Sequence, residues 1–259
     1  MVEQNYQYLT EALAKLGFGD VLNDELQRRM NMGTKQFEIK AQTSTENERV
    51  LYALKFEKKD GDLYFLNTIR GTLSKENQQP ITHDFFLYKQ KGYNVQEMKN
   101  MLEGRAVYKM FRREGQDVGR WTRIDFNVKD ERGNNQIRSY YDNQTNFNLV
   151  VELSKLPVVN MSQEEKEGLI RALRNGELAN VTVRQNGSRE RMCIEATPQL
   201  GSLVLYNVNM EKVSLNNNRI QVLKEEQGAE QKLPDTTKRM MEAQENGQTQ
   251  QQQAKRRVG

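Results

Sequence analysis

Three glycines, Gly33, Gly104 and Gly176, stand 71 and 72 residues apart, and each separates a stretch with helical spacing from one with strand spacing. Before Gly176, Ser162 and Glu165 have the spacing of a capping box, and Leu169, Ile170 and Leu173 form one apolar face. Before Gly104, Asn94 and Glu97 repeat the box, and Met98, Met101 and Leu102 repeat the stripe. Before Gly33, the stripe is Leu22, Leu26 and Met30. A glycine in this place adopts the left-handed conformation that ends a helix, so each marks a helix C-cap.

Period-two alternation follows every glycine. "NVTVRQNGSRERMCIEA" turns about Asn186-Gly187, a strong hairpin signal, and "SLVLYNVNMEKV" supplies a third strand. "AVYKMFRREGQDVGRWTRIDFNV" turns near Gly115 to Gly119, with "QIRSYY" after it. "QFEIKAQ", "VLYALKFEKK" and "LYFLNTIRGTL" follow Gly33, with a turn at Asp60-Gly61. The expected fold class is α+β: three tandem αβββ-type units with antiparallel sheets and a disordered C-terminal tail. The expected boundaries are 1–93, which includes a leading helix from Tyr6 to Leu16, then 94–161, 162–223 and 224–259. "HDFFLYK" offers a fourth strand to the first unit. "TNFNLVVELSKLP", stopped by Pro157, permits either a short helix or a strand.

The last 36 residues contain eight glutamines and no aromatic residue, too little apolar area to offset the entropy of ordering. Only a transient helix around Thr237 to Glu245 is expected there. Tail and surface together account for the low mean hydropathy of -0.89.

Charge narrows the function classes. Basic and acidic residues number 13 and 13 in 1–93, 11 and 9 in 94–161, 8 and 7 in 162–223, and 7 and 6 in 224–259. No segment carries the basic field that drives nonspecific binding to nucleic acid. The sequence has no apolar run of spanning length and no secretory leader pattern at its start, so a cytoplasmic protein without membrane attachment is expected. The single cysteine, Cys193, agrees with a reducing compartment.

Candidate chemistry is sparse. His83, the only histidine, stands in "PITHDFF" without a neighbouring nucleophile and reads as a surface or strand-edge residue. With one Cys and one His, the usual zinc ligand sets cannot be assembled. No phosphate-binding glycine loop is present. Cys193 reads as an inert strand thiol, with Met192, Ile194 and Ala196 on the alternate, apolar face. No catalytic residue, cofactor or metal is therefore expected.

One cluster suggests nucleic acid: Arg112, Arg113, Arg120 and Arg123 around Trp121, with Lys255, Arg256 and Arg257 in the tail. Arginine interleaved with an aromatic ring can grip phosphate and stack on bases. The competing reading packs Trp121 across strands, leaves the arginines solvated, and puts the core on the face of Thr122, Ile124 and Phe126.

"YLTEALAKLGFGDVLNDELQRRM", "LYFLNTIRGTL", "MLEGRAVYKMF", "RWTRIDFN" and the Gln-rich tail ending "KRRVG" together resemble proteins of unknown function carried on conjugative and other mobile elements of Bacteroidetes. The resemblance covers most of residues 1–223. It implies a cytoplasmic, non-enzymatic accessory role linked to such an element, and it carries over no catalytic residue. The expected activity is recognition of a partner protein, with nucleic-acid binding by the Arg/Trp hairpin and basic tail as the alternative.

Overall fold

The computed structural model describes residues 2–223 apart from 60, 89–91, 114, 160, 186 and 217–218. The 224–259 tail, with Lys255, Arg256 and Arg257, lies outside the described residues, as do Asp60 and Asn186 of the two expected turns.

Helices α1 (Val2–Lys15) and α2 (Asn23–Asn31) lead to Gly33, whose φ is +68°. Strands β1 (Gln36–Ser44), β2 (Glu48–Lys59), β3 (Leu63–Lys75) and β4 (Ile81–Phe86) follow as an antiparallel sheet in sequence order. Helix α3 (Val95–Leu102) starts in the expected capping box: Glu97 N–H donates to Asn94 Oδ1 at 2.9 Å, and Asn94 N–H donates to Glu97 Oε2 at 2.8 Å. Past Gly104 at φ +86° come β5 (Val107–Arg113), β6 (Gln116–Lys129) and β7 (Asn135–Tyr141), neighbours in that order.

Then α4 (Leu149–Ser154) and α5 (Gln163–Arg174) precede Gly176 at φ +78°. They are followed by β8 (Ala179–Gln185), β9 (Ser188–Thr197), β10 (Ser202–Tyr206), β11 (Lys212–Asn216) and β12 (Arg219–Val222), ordered β12-β11-β10-β9-β8. The stretch that permitted helix or strand is helical at α4, because Asn148 Oδ1 accepts from the N–H groups of Val150 and Val151 at 3.1 and 3.2 Å.

The class is thus α+β with antiparallel sheets, and among the described residues the strand count differs from segment to segment: four, three and five. "SLVLYNVNMEKV" is two strands, where one was expected. Asn207 Oδ1 accepts from Asn209 N–H at 3.0 Å and Glu211 N–H at 2.9 Å, which folds the chain back between β10 and β11.

By contacts the chain divides into two compact units. The first comprises Met1–Tyr108, Thr122–Ser139 and Leu173–Glu177; the second comprises Lys109–Trp121, Tyr140–Ala172 and the described residues from Leu178 onward. In the first, one buried cluster joins Leu9, Leu13, Leu22, Leu26 and Met30 of the leading segment to Phe37, Ile39, Leu54 and Ile69 of the sheet. Met98, Met101, Leu102, Val107 and Ile124 belong to the same cluster. Burying aliphatic side chains to this degree stabilises by about 1.5–3 kcal/mol apiece. Gly176 completes this unit: a Cβ there would lie 2.9 Å from Ala106 O.

Three asparagine amides bind unpaired lengths of strand in the first unit. Asn5 takes both main-chain groups of Tyr64, which lies beyond the end of the β3–β4 ladder. Asn134 does the same for Asp84 on the outer edge of β4, and Asn135 donates to Thr82 O at 2.8 Å.

In the second unit, Val181, Val183, Met192, Ile194, Leu205 and Val213 are buried, so the apolar face read around Cys193 is the core face. The outer edge of β8 is covered by residues 157–159: Val159 N–H donates to Thr182 O and Arg184 N–H to Pro157 O, both at 2.8 Å.

Strand β6 changes phase along its length. Gly119 and Trp121 are buried, and then Thr122 and Ile124 are. The expected core face holds only from Thr122 onward, with Phe126 half-buried; up to Trp121 the opposite face is the inward one. A strand alternates strictly, so two adjacent buried residues mean that both of its faces are used.

Candidate functional site

The hairpin of β5 and β6 carries the arginines singled out in the sequence. The Arg120 guanidinium lies 4.0 Å from the Phe111 ring centroid and 5.8 Å from that of Tyr141. Phe111 is 39% exposed and its neighbour Met110 58%. Arg112 is exposed, and alternation turns it away from the face where Phe111 meets Arg120. Arg123 stands three residues beyond Arg120, hence on the other face of the same strand. Arg112, Arg120 and Arg123 therefore do not converge on one surface; the Arg113 side chain lies outside the described ones. Asp125, on the same strand as Arg120 and Arg123, pairs with Arg138 at 3.1 Å.

Trp121 is only 2% exposed and meets Phe147 edge-on, at 5.4 Å between centroids and 71° between planes. A ring so placed presents no face to a base. What the hairpin and β7 together present is a Phe111–Arg120–Tyr141 group, in which the rings hold the guanidinium by cation–π attraction, while Met110 faces the other side of β5.

His83 is also 2% exposed, which corrects the surface expectation, although β4 is an edge strand. Its ring meets Phe85 edge-on at 4.7 Å, and its Nδ1 has no hydrogen-bond partner. Burial pushes its pKa down to about 4, so the imidazole is neutral at pH 7. Cys193 is half-buried and its thiol donates to Asn180 Oδ1 at 3.2 Å. Among the described residues, no three His, Cys, Asp or Glu side chains group as metal ligands.

A polar cluster of the first unit had no signature in the sequence. A cleft of about 210 Å³ is lined by Thr43, Ser44, Glu48, Tyr52, Gln96 and Lys99, among others. Glu48 forms a close ion pair with Lys99 and lies 3.7 Å from Lys75, which in turn lies 3.2 Å from Glu103. Glu103 pairs closely with Arg105. Arg105 also donates to Gly176 O and to Asn100 Oδ1, both at 2.6 Å, while Asn100 donates to Asn175 O at 2.7 Å. The hydrogen bond from Lys99 holds the Glu48 carboxyl below its ordinary pKa, and burial pushes the Tyr52 phenol up to about 12. Each charge in this cluster meets an opposite one, and the backbone it grips is that of the helix-ending Gly176. Such an arrangement fixes α3 to the sheet rather than poising a nucleophile or a base.

No family model, curated protein or solved structure matches this chain. Among the described residues, no helix is long and apolar enough to cross a membrane.

Proposed function

We propose that this chain is a non-enzymatic cytoplasmic binding protein, an accessory of a mobile genetic element, that recognises a partner protein through repeated α+β units. The observation that carries the reading is the group of Phe111, Arg120 and Tyr141 on and beside the β5–β6 hairpin, in which Phe111 is exposed and Arg120 and Tyr141 are half-buried. Aromatic residues, methionine and arginine are the side chains enriched at protein interfaces, and a few of them usually supply most of the binding energy. The three recurrences of helix, left-handed glycine and antiparallel strands support a repeat of αβββ type, with strands added at its first and third copies. The spent state of the Glu48–Lys99–Glu103–Arg105 cluster and the neutral, buried His83 favour binding over catalysis.

The alternative, nucleic-acid binding through the same hairpin and the basic tail, draws on the exposed Arg112. It loses the stacking ring expected for it, because Trp121 is buried against Phe147. A photo-crosslinking residue at Phe111, compared in the native host with one at the exposed Val21, tests the leading reading. A defined protein adduct from position 111 alone, lost when Arg120 is changed to Asp, is expected. Adducts with nucleic acid, or equal adducts from both positions, would overturn it.

A further inference from the structure

The outer edge of β1 is open. Strand β1 ends its sheet, and among the described residues no segment pairs with its far side. This differs from the other lengths of edge described above, where Asn5 takes Tyr64, Asn134 and Asn135 take β4, and residues 157–159 take β8. An uncovered nine-residue strand is a template for strand addition.

Its register with β2 states which main-chain groups are free. Lys58 N–H donates to Lys35 O, and Thr45 N–H to Glu48 O, so odd-numbered residues exchange hydrogen bonds with β2. In an antiparallel pair such bonds alternate. The N–H and C=O groups of Gln36, Glu38, Lys40 and Gln42 therefore point away from the sheet.

We infer that β1 pairs with β1 of a second copy of this chain, antiparallel about a two-fold axis at Ile39, to give one continuous sheet across a homodimer. That axis sets Glu38 opposite Lys40 of the partner, Lys40 opposite its Glu38, and Gln36 opposite its Gln42. All are positions whose main-chain groups point outward, so each opposed pair exchanges two hydrogen bonds. The apolar Phe37 and Ala41 oppose each other on the core side. Neighbouring registers do not share this match. An axis at Glu38 or at Lys40 opposes like charges, and one at Phe37 or Ala41 leaves both charges opposite neutral residues. Within one chain the Lys40 ammonium is 4.0 Å from the Glu38 carboxylate, with Lys40 largely exposed, so both groups are available for cross-strand pairing. A single-sign edge would repel a copy of itself; this alternating edge is self-complementary. The interface does not draw on the Phe111–Arg120 group.

Sedimentation of the full chain over a range of concentrations reads the association directly. Reversible dimerisation is expected for the unaltered chain. Glu38→Lys or Lys40→Glu opposes like charges twice per dimer and is expected to weaken association about tenfold or more. A mixture of the two single variants restores both pairs and is expected to form a heterodimer, as the double variant Glu38→Lys/Lys40→Glu is expected to form a homodimer. Gln42→Pro removes an outward N–H without touching the β2 ladder, so it should abolish the dimer while circular dichroism stays unchanged. Because Glu38 also opposes Lys55 on β2, the same spectrum verifies that Glu38→Lys is folded. A monomer at every concentration, or dimers indifferent to Glu38→Lys, Lys40→Glu and Gln42→Pro, would overturn the inference.

Discussion

The side-chain amide of Asn5 accepts from Tyr64 N–H at 2.8 Å and donates to Tyr64 C=O at 3.0 Å, so one helical residue stands in for a missing strand. The contact is buried, with Asn5 itself 8% exposed. Without it, two main-chain groups at the start of β3 would face the interior unpaired.

Asn5→Ala is accordingly expected to destabilise the fold by roughly 2–4 kcal/mol, the penalty of two unsatisfied buried groups. Asn5→Asp keeps the acceptor but sets a buried carboxylate oxygen against the Tyr64 carbonyl in place of the donor, so it should cost as much as Asn5→Ala or more at neutral pH. Urea unfolding of both variants measures this. A loss below about 0.5 kcal/mol in Asn5→Ala would show that water replaces the amide.

Stability should fall as pH drops from 6.5 toward 4, through His83. Its folded-state pKa, about 4, is depressed below the unfolded value of 6.5. The unfolded chain therefore takes up the proton first, and stability present above pH 6.5 is lost as pH falls through this window, by roughly 3 kcal/mol in all. Asp84, held low by Arg70, adds a further loss only below its ordinary value of 3.8. His83→Phe should flatten the upper part of the curve. An unchanged slope between pH 6.5 and 4 in that variant would assign the titration elsewhere.

Trp121→Ala should cost about 3–5 kcal/mol, because it removes a fully buried ring and its edge-on partner contact. Phe126→Ala, at a half-buried position, should cost less than Trp121→Ala. Thermal or denaturant unfolding decides the order, and the reverse order would contradict the change of phase along β6.

Local chemistry made much of this fold legible. The capping boxes at Asn94/Glu97 and Ser162/Glu165 form as spaced, with Glu165 N–H reaching Ser162 Oγ at 3.2 Å, and the residues expected inside at Leu26, Met98, Leu173 and Ile194 are buried. These signals lie within a few residues of one another in the chain. The amide of Asn5 acts on Tyr64, 59 residues away, and that of Asn134 on Asp84, 50 away, and neither asparagine differs locally from one in a turn. The ionic cluster gathers Glu48, Lys75, Lys99, Glu103 and Arg105, whose spacing follows no single helical or strand period. Trp121 was misread by face because alternation alone cannot say where a long strand exchanges its inward side. His83 stands on an edge strand, one of its two expected places, but not at the surface, because its place on β4 packs the ring against Phe85.

The claim that this chain binds protein and not nucleic acid is tested most directly by fluorescence anisotropy of short random single-stranded DNA, titrated with the full chain at low and at physiological salt. Balanced charge and a buried Trp121 lead to the expectation of no sub-micromolar binding at physiological salt. Sub-micromolar binding that falls steeply with salt, and weakens when Arg112 and Arg120 are replaced by alanine, would contradict it.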